Sequence, residues 1–179
     1  MRDGDALENN PEVTRSALEA IHGQVFGWAL SRCYYDQAAA EDLMQQAYVE
    51  LLSGNARFDN QSSLQTFVFA VVQNLARSRY RRLASRLRLV KTFEATSLDR
   101  SAALAEPDHD TKNRDVAIWQ YVQELAPRQR DIIELVFCRE FTIEEASAVM
   151  GVTTGTGRVH YDRAKKALRR KIGDMHENE

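Results

Sequence analysis

Apolar residues recur every three to four positions along most of the 179-residue chain, and no stretch sustains the alternation of period two that a strand requires. The pattern predicts an all-α protein. Val13 to Asp36 reads as a first helix or helix pair, with Leu18, Ile21, Val25, Trp28, Ala29 and Tyr35 on its buried side. Ala38 to Leu52 (AAAEDLMQQAYVELL) puts Leu43, Met44, Ala47, Tyr48, Leu51 and Leu52 on one broad face. Its other face carries Asp42, Gln46 and Glu50 at intervals of four, with Glu41 and Gln45 beside them. A polar loop, SGNARFDNQSS, follows. From Leu64 to about Leu89 a long helix is apolar at Phe67, Val68, Val71, Val72 and Leu75, then strongly basic.

Between about Thr92 and Asn113 the periodicity fails, in a segment with a proline, small residues and a cluster of acids. This predicts a linker over 92–113 between helical domains at 13–91 and 114–173. Val116 to Leu125 is helical, Pro127 suits the first turn of the next helix, and Arg128 to Cys138 continues it with Ile132, Ile133, Leu135 and Val136. Thr142 with Glu145 three residues on is a capping box that opens TIEEASAVM. Gly151 stops that helix, and Thr153 or Thr154 caps a last one reaching about Ile172.

Charge changes this picture more than composition does. The net charge of -2 hides two basic surfaces. Arg77 to Lys91 holds seven cations (Arg77, Arg79, Arg81, Arg82, Arg86, Arg88, Lys91) and no acid, and the last helix holds Arg158, Arg163, Lys165, Lys166, Arg169, Arg170 and Lys171 around a single acid, Asp162. A phosphate backbone responds to such local charge within a Debye length of about 10 Å. No apolar run approaches the roughly 20 residues of a membrane span, and the N-terminus is polar and acidic, which predicts a cytoplasmic protein without membrane insertion. Cys33 and Cys138 form no CxxC, and His22, His109, His160 and His176 are scattered without HExxH spacing. The chain therefore reads as a non-enzyme that needs no metal and no cofactor.

Helix, glycine turn and a second helix with a basic face make the helix-turn-helix pattern, whose second helix enters the major groove. Thr154 and Thr156 are placed to donate to phosphates, while Arg158, His160 and Arg163, with Asp162 among them, are placed to meet bases or flanking phosphates. Lys166, Arg169 and Arg170 suit phosphate neutralisation. The N-terminal half carries another signature. Aromatic Phe58, Phe67, Phe69 and Tyr80 lie among polar Asn60, Gln61, Ser62, Gln73 and Asn74 ahead of the basic cluster, the mixture by which opened strands are held. Phe67 and Phe69 sit at helical spacing and read as core, whereas Asn60, Gln61 and Ser62 have little use in a core.

The pair EDLMQQAYVELL…RFDNQSSLQTFVFAVVQNLARSRYRR and LAPRQRDIIELVFCREFTIEEASAVMGVTTGTGRVHYDRAKKALRRKI resembles regions two and four of a bacterial RNA polymerase sigma factor of the extracytoplasmic-function (ECF) group. The resemblance implies two helical domains that bind core RNA polymerase, at its beta-prime clamp helices and beta flap, and promoter DNA. It places Glu41, Asp42, Gln45, Gln46 and Glu50 on the polymerase side. Phe58, Asn60, Gln61, Ser62 and Ser63 fall on the loop that captures a flipped base of the minus-ten element, and Asn74, Arg77, Arg81 and Arg82 on the helix facing its duplex. Thr154, Thr156, Arg158, His160, Arg163 and Lys166 fall where the minus-thirty-five element is met.

The chain departs from the family pattern at three places. Gln46 stands where an acid is usual, which predicts weaker attraction to a basic polymerase surface. A phosphate on nearby Ser53 or Ser62 would restore about 1.5 to 2 negative charges, so a Ser/Thr kinase joins an anti-sigma factor as a candidate regulator. Gly157 stands where the family buries an apolar residue, which predicts a recognition helix less well packed by about 1–3 kcal/mol. Val159 and His160 replace a small polar and basic pair, which predicts an unusual minus-thirty-five preference. The rival reading, a helix-turn-helix regulator that acts without polymerase, leaves the Asp42–Gln46 face and the Phe58–Ser63 loop without a role.

Overall fold

The computed structural model describes residues 14–90 and 119–176, with side chains over 14–85 and 119–173. The expected linker over 92–113 lies outside them, as do the side chains of Arg86, Arg88 and Lys91. Every regular element among the described residues is helical, and the chain divides into two compact units, one holding residues 14–90 and the other 119–176.

The first unit is three helices, α1 (Arg15–Arg32), α2 (Gln37–Leu52) and α3 (Leu64–Val90). Side chains at the entries stop the helices from fraying: Thr14 Oγ1 accepts from the Ala17 N–H at 3.2 Å and Asp36 Oδ1 from the Ala39 N–H at 3.0 Å. Val25, Trp28, Leu43, Ala47, Leu51, Val68, Phe69 and Val72 form the core. At its centre Trp28 stacks on Phe69 with ring centroids 5.7 Å apart, and its indole N–H donates to the Phe69 carbonyl at 3.2 Å, so the polar atom of a fully buried ring is satisfied. Phe69 is thus core, as its spacing indicated.

Two apolar residues lie elsewhere than periodicity suggested. Tyr35 is 52% exposed because the chain reverses between α1 and α2 through Tyr34 and Tyr35, both left-handed at φ 54° and 63°, which breaks the helical phase before Tyr35 is reached. Leu52 is 37% exposed: it follows Leu51 by one step, about 100° around the helix, and so leaves the buried row. Tyr80 on α3 closes this corner, its phenol donating to the Arg32 carbonyl at 2.6 Å and its ring meeting Tyr34 edge to face.

The second unit holds the described part of α4 (residues 119–124), α5 (Pro127–Ile133), α6 (Ile143–Met150) and α7 (Thr154–His176). Pro127 opens α5, where a missing N–H costs nothing. The expected unbroken helix over Arg128–Cys138 instead widens into a π turn over Glu134–Cys138. The wider turn keeps positions 131–135 all buried and swings Phe137 outward, 61% exposed, while the Phe141 N–H reaches back to the Leu135 carbonyl at 3.0 Å. The capping box forms, with Thr142 Oγ1 accepting from the Glu145 N–H at 3.2 Å and Glu145 Oε2 from the Thr142 N–H at 2.9 Å. Gly151 ends α6 at φ 63°, the left-handed conformation that a side chain resists. Arg128 Nη1 donates to the Met150 carbonyl at 3.0 Å, and α7 packs across both α5 and α6.

Candidate nucleic-acid interface

On α2, Glu41, Asp42, Gln45 and Gln46 are exposed and Glu50 is half-buried. The burial of Ala40, Leu43, Met44, Ala47 and Leu51 turns this polar row outward. Sequence reasoning missed Val49, which is 60% exposed beside Gln45 and Gln46; its only signal is that it falls out of phase with the apolar row. Asp42 carries a partner from the same unit: Arg79 Nη2 lies 3.1 Å from its Oδ2, and Arg79 Nη1 donates to the Ala39 carbonyl at 3.4 Å. Arg79 therefore faces α2 rather than joining the open basic surface of α3. With both partners more than half exposed, the pair is worth roughly 0–1 kcal/mol.

The α2–α3 loop exposes Asn60 and Gln61 at its tip, Asn60 in the left-handed region at φ 59°. Asp59 Oδ1 accepts from the Gln61 N–H at 3.3 Å, an Asx turn that shapes the tip. Ser63 serves the helix, since its Oγ accepts from the Thr66 N–H at 3.1 Å and lies 2.8 Å from Thr66 Oγ1. Ser62 donates to the Ser63 carbonyl at 3.2 Å. Phe58 rests half-buried on Phe67, ring centroids 5.3 Å apart, as the floor of the loop. Farther along α3, Asn74, Arg81 and Arg82 are exposed and Arg77 is half-buried. Asn74 and Arg81, seven residues apart, share one row running away from the loop.

On α7 the cap is Thr153, whose Oγ1 accepts from the Thr156 N–H at 3.2 Å and meets Thr156 Oγ1 at 2.9 Å. Thr156, a sequence candidate for phosphate contact, thus shares its hydroxyl with the cap. Arg158, Arg163 and Lys166 are exposed, whereas Thr154 and His160 are half-buried at the flanks. The two glycines have opposite surroundings. A Cβ on Gly155 would meet nothing nearer than Thr153 Oγ1 at 4.0 Å, in open space. A Cβ on Gly157 would overlap Ser147 Oγ and stand 3.1 Å from Ser147 Cβ. The expected packing defect at Gly157 is accordingly corrected: Ser147, 1% exposed, already fills the place of the missing side chain. Val159, which the sequence marks as a departure bearing on the minus-thirty-five preference, is 46% exposed on the same face as Asp162 and Lys166.

Among the described residues no group of three or more His, Cys, Asp or Glu is placed to hold a metal ion, and no helix is long and apolar enough to cross a membrane. The features present suit binding: an outward polar row, an exposed loop tip and two basic helices.

The family model described as "Sigma-70 region 2" matches residues 17–86, and "Sigma-70, region 4" matches residues 115–168. The chain is 24% identical to RNA polymerase sigma factor CarQ of Myxococcus xanthus, over 97% of this chain and 94% of that one. It is 27% identical to ECF RNA polymerase sigma factor EcfG of Rhodopseudomonas palustris, over 72% and 68%. In fold it is similar to the sigma factor RpoE of Bartonella quintana, solved in complex with the anti-sigma factor NepR, with a TM-score of 0.67 at 21% identity, over 89% of this chain and 96% of that one.

Proposed function

Because the chain belongs to the ECF group of the sigma-70 family of RNA polymerase sigma factors, we propose that its two units divide promoter recognition between them. The chain is a sigma factor that joins core RNA polymerase, recognises promoter DNA and starts transcription; we assign it no reaction of its own. In the first unit, the row of Glu41, Asp42, Gln45, Gln46 and Glu50 with Val49 meets the beta-prime clamp helices. The loop from Phe58 to Ser63 takes a base of the opened minus-ten strand, with Asn60 and Gln61 foremost. Asn74, Arg77, Arg81 and Arg82 track the adjoining backbone. Flipping a base costs a few kcal/mol, which loop contacts and nearby cations offset.

In the second unit, α7 enters the major groove of the minus-thirty-five element, with Arg158, Arg163 and Lys166 on its open face and Thr154, Thr156 and His160 at the margins. The beta flap holds this unit on the polymerase. An anti-sigma factor is the proposed regulator, the kind of partner with which the similar RpoE was solved. We assign the protein to the cytoplasm, because a sigma factor acts where polymerase and promoter DNA are.

The observation that carries the reading is the order within one chain: a polar α2 row, a tied loop and a basic α3, then a capped helix-turn-helix with an open basic face. Run-off transcription with purified core polymerase on a pooled promoter library tests it. New start sites that depend on this protein are expected, with shared sequence upstream. Duplex binding without any transcript would return the chain to the regulator class.

A further inference from the structure

Two residues on the open face of α7 are not explained by attraction to phosphate. Gly155, Val159, Asp162 and Lys166 follow one another at i, i+4, i+7 and i+11, and form one row opposite the buried Gly157 and Ala164. Val159 stands in the middle of that row with nearly half of its surface in water. The side chain of Asp162 is 71% exposed between Arg158, Arg163 and Lys166, where approaching phosphates repel it. A helix selected only to neutralise a backbone has no use for either.

Both have partners in a major groove. The thymine 5-methyl is the apolar group displayed there, and a carboxylate accepts a hydrogen bond from the cytosine N4 amino group. Residues three apart on a helix are separated by about 4.5 Å along its axis, close to the roughly 3.4 Å between base pairs, so the two side chains address neighbouring pairs. Asp162 is also held in place. Lys165 Nζ lies 3.1 Å from its Oδ1 and 4.3 Å from the centre of the Tyr161 ring, which anchors one oxygen while the carboxylate keeps capacity to accept through the other. Gly155, with open space where a side chain would stand, lets this end of the helix come close to the DNA.

We propose that Val159 and Asp162 are the base-reading pair of α7: Val159 packs on a thymine methyl, and Asp162 accepts from the amino group of a cytosine in the adjacent base pair. This rests on the reading of α7 as the minus-thirty-five helix. It adds the bases that the helix selects.

The test uses the full chain with core RNA polymerase and a promoter library randomised in its upstream duplex. Wild type is expected to enrich an element with adjacent thymine and cytosine. Uracil is then substituted for each thymine in turn, which removes only the methyl. At one position the loss should be about fourfold for wild type, the worth of one buried methyl, and should nearly vanish for Val159→Ala. Asp162→Asn should move the preference at the neighbouring pair from cytosine to adenine by about tenfold, because an amide pairs with adenine through two hydrogen bonds. Both substitutions are on the exposed row, and retained competition for core polymerase checks that the variants are folded. Equal uracil penalties in wild type and Val159→Ala, or a cytosine preference that survives Asp162→Asn, would overturn the proposal. Protein-dependent transcripts without any enriched upstream element would remove the minus-thirty-five reading itself, and the base-reading pair with it.

Discussion

Ser147 on α6 occupies the space that a side chain at Gly157 on α7 would need, and its hydroxyl donates to the Ile143 carbonyl one turn back along its own helix. Replacing glycine by alanine inside a helix ordinarily gains about 1 kcal/mol. At this contact the sign reverses: Gly157→Ala should cost the second unit about 1–3 kcal/mol through overpacking. In a Ser147→Ala background the cost should shrink by about 1 kcal/mol, since the overlapping hydroxyl is gone. A double-mutant cycle measured by calorimetric unfolding checks both numbers, and purely additive effects would dismiss the contact.

Gln46 is exposed on the α2 row where the resemblance expects an acid. Gln46→Glu should tighten binding to core polymerase several-fold at low salt and less at high salt, as an added surface charge requires. Affinity titrations at two ionic strengths read the effect. Equal affinities would also remove the motive for a phosphate on Ser53 or Ser62.

Lys166 and Arg158 are exposed cations on α7. If each neutralises one phosphate, Lys166→Ala and Arg158→Ala should each lower the slope of log affinity against log salt by about 1. Duplex binding across a salt series distinguishes this from general weakening, in which the slope stays the same.

Burial, and then the neighbouring Tyr34, push the Tyr80 phenol well above its ordinary range. A raised folded value means that the folded chain holds its proton where the unfolded chain has lost it. The first unit should therefore keep its full stability below about pH 10, the ordinary tyrosine value, and lose it progressively as pH rises further. Tyr80→Phe should flatten that loss. Denaturant midpoints from pH 8 to pH 11 test the sign, and a slope unchanged by the substitution would reject Tyr80 as its source.

By itself the sequence determined the all-α class, the capping box at Thr142 and Glu145, the stop at Gly151 and the two basic helices. These depend on spacing within a few residues, where backbone geometry alone relates the side chains. The burial of Trp28 and of Phe69 was legible too, since the spacing of each marked it as core, although their stacking was not. What the sequence left open are relations between elements distant in the chain. Arg79 could be counted among the cations of α3, but only the packing of α3 on α2 turned it to Asp42. Tyr35 kept the apolar phase of α1 until two left-handed residues rotated it out. Gly157 looked like a missing side chain because one helix cannot show what its neighbour contributes, and tertiary structure placed Ser147 there. Val159 showed in the sequence only as a departure from the family pattern; the side of α7 that meets α5 and α6 decided that it faces outward, where an apolar group has to find its partner on another molecule.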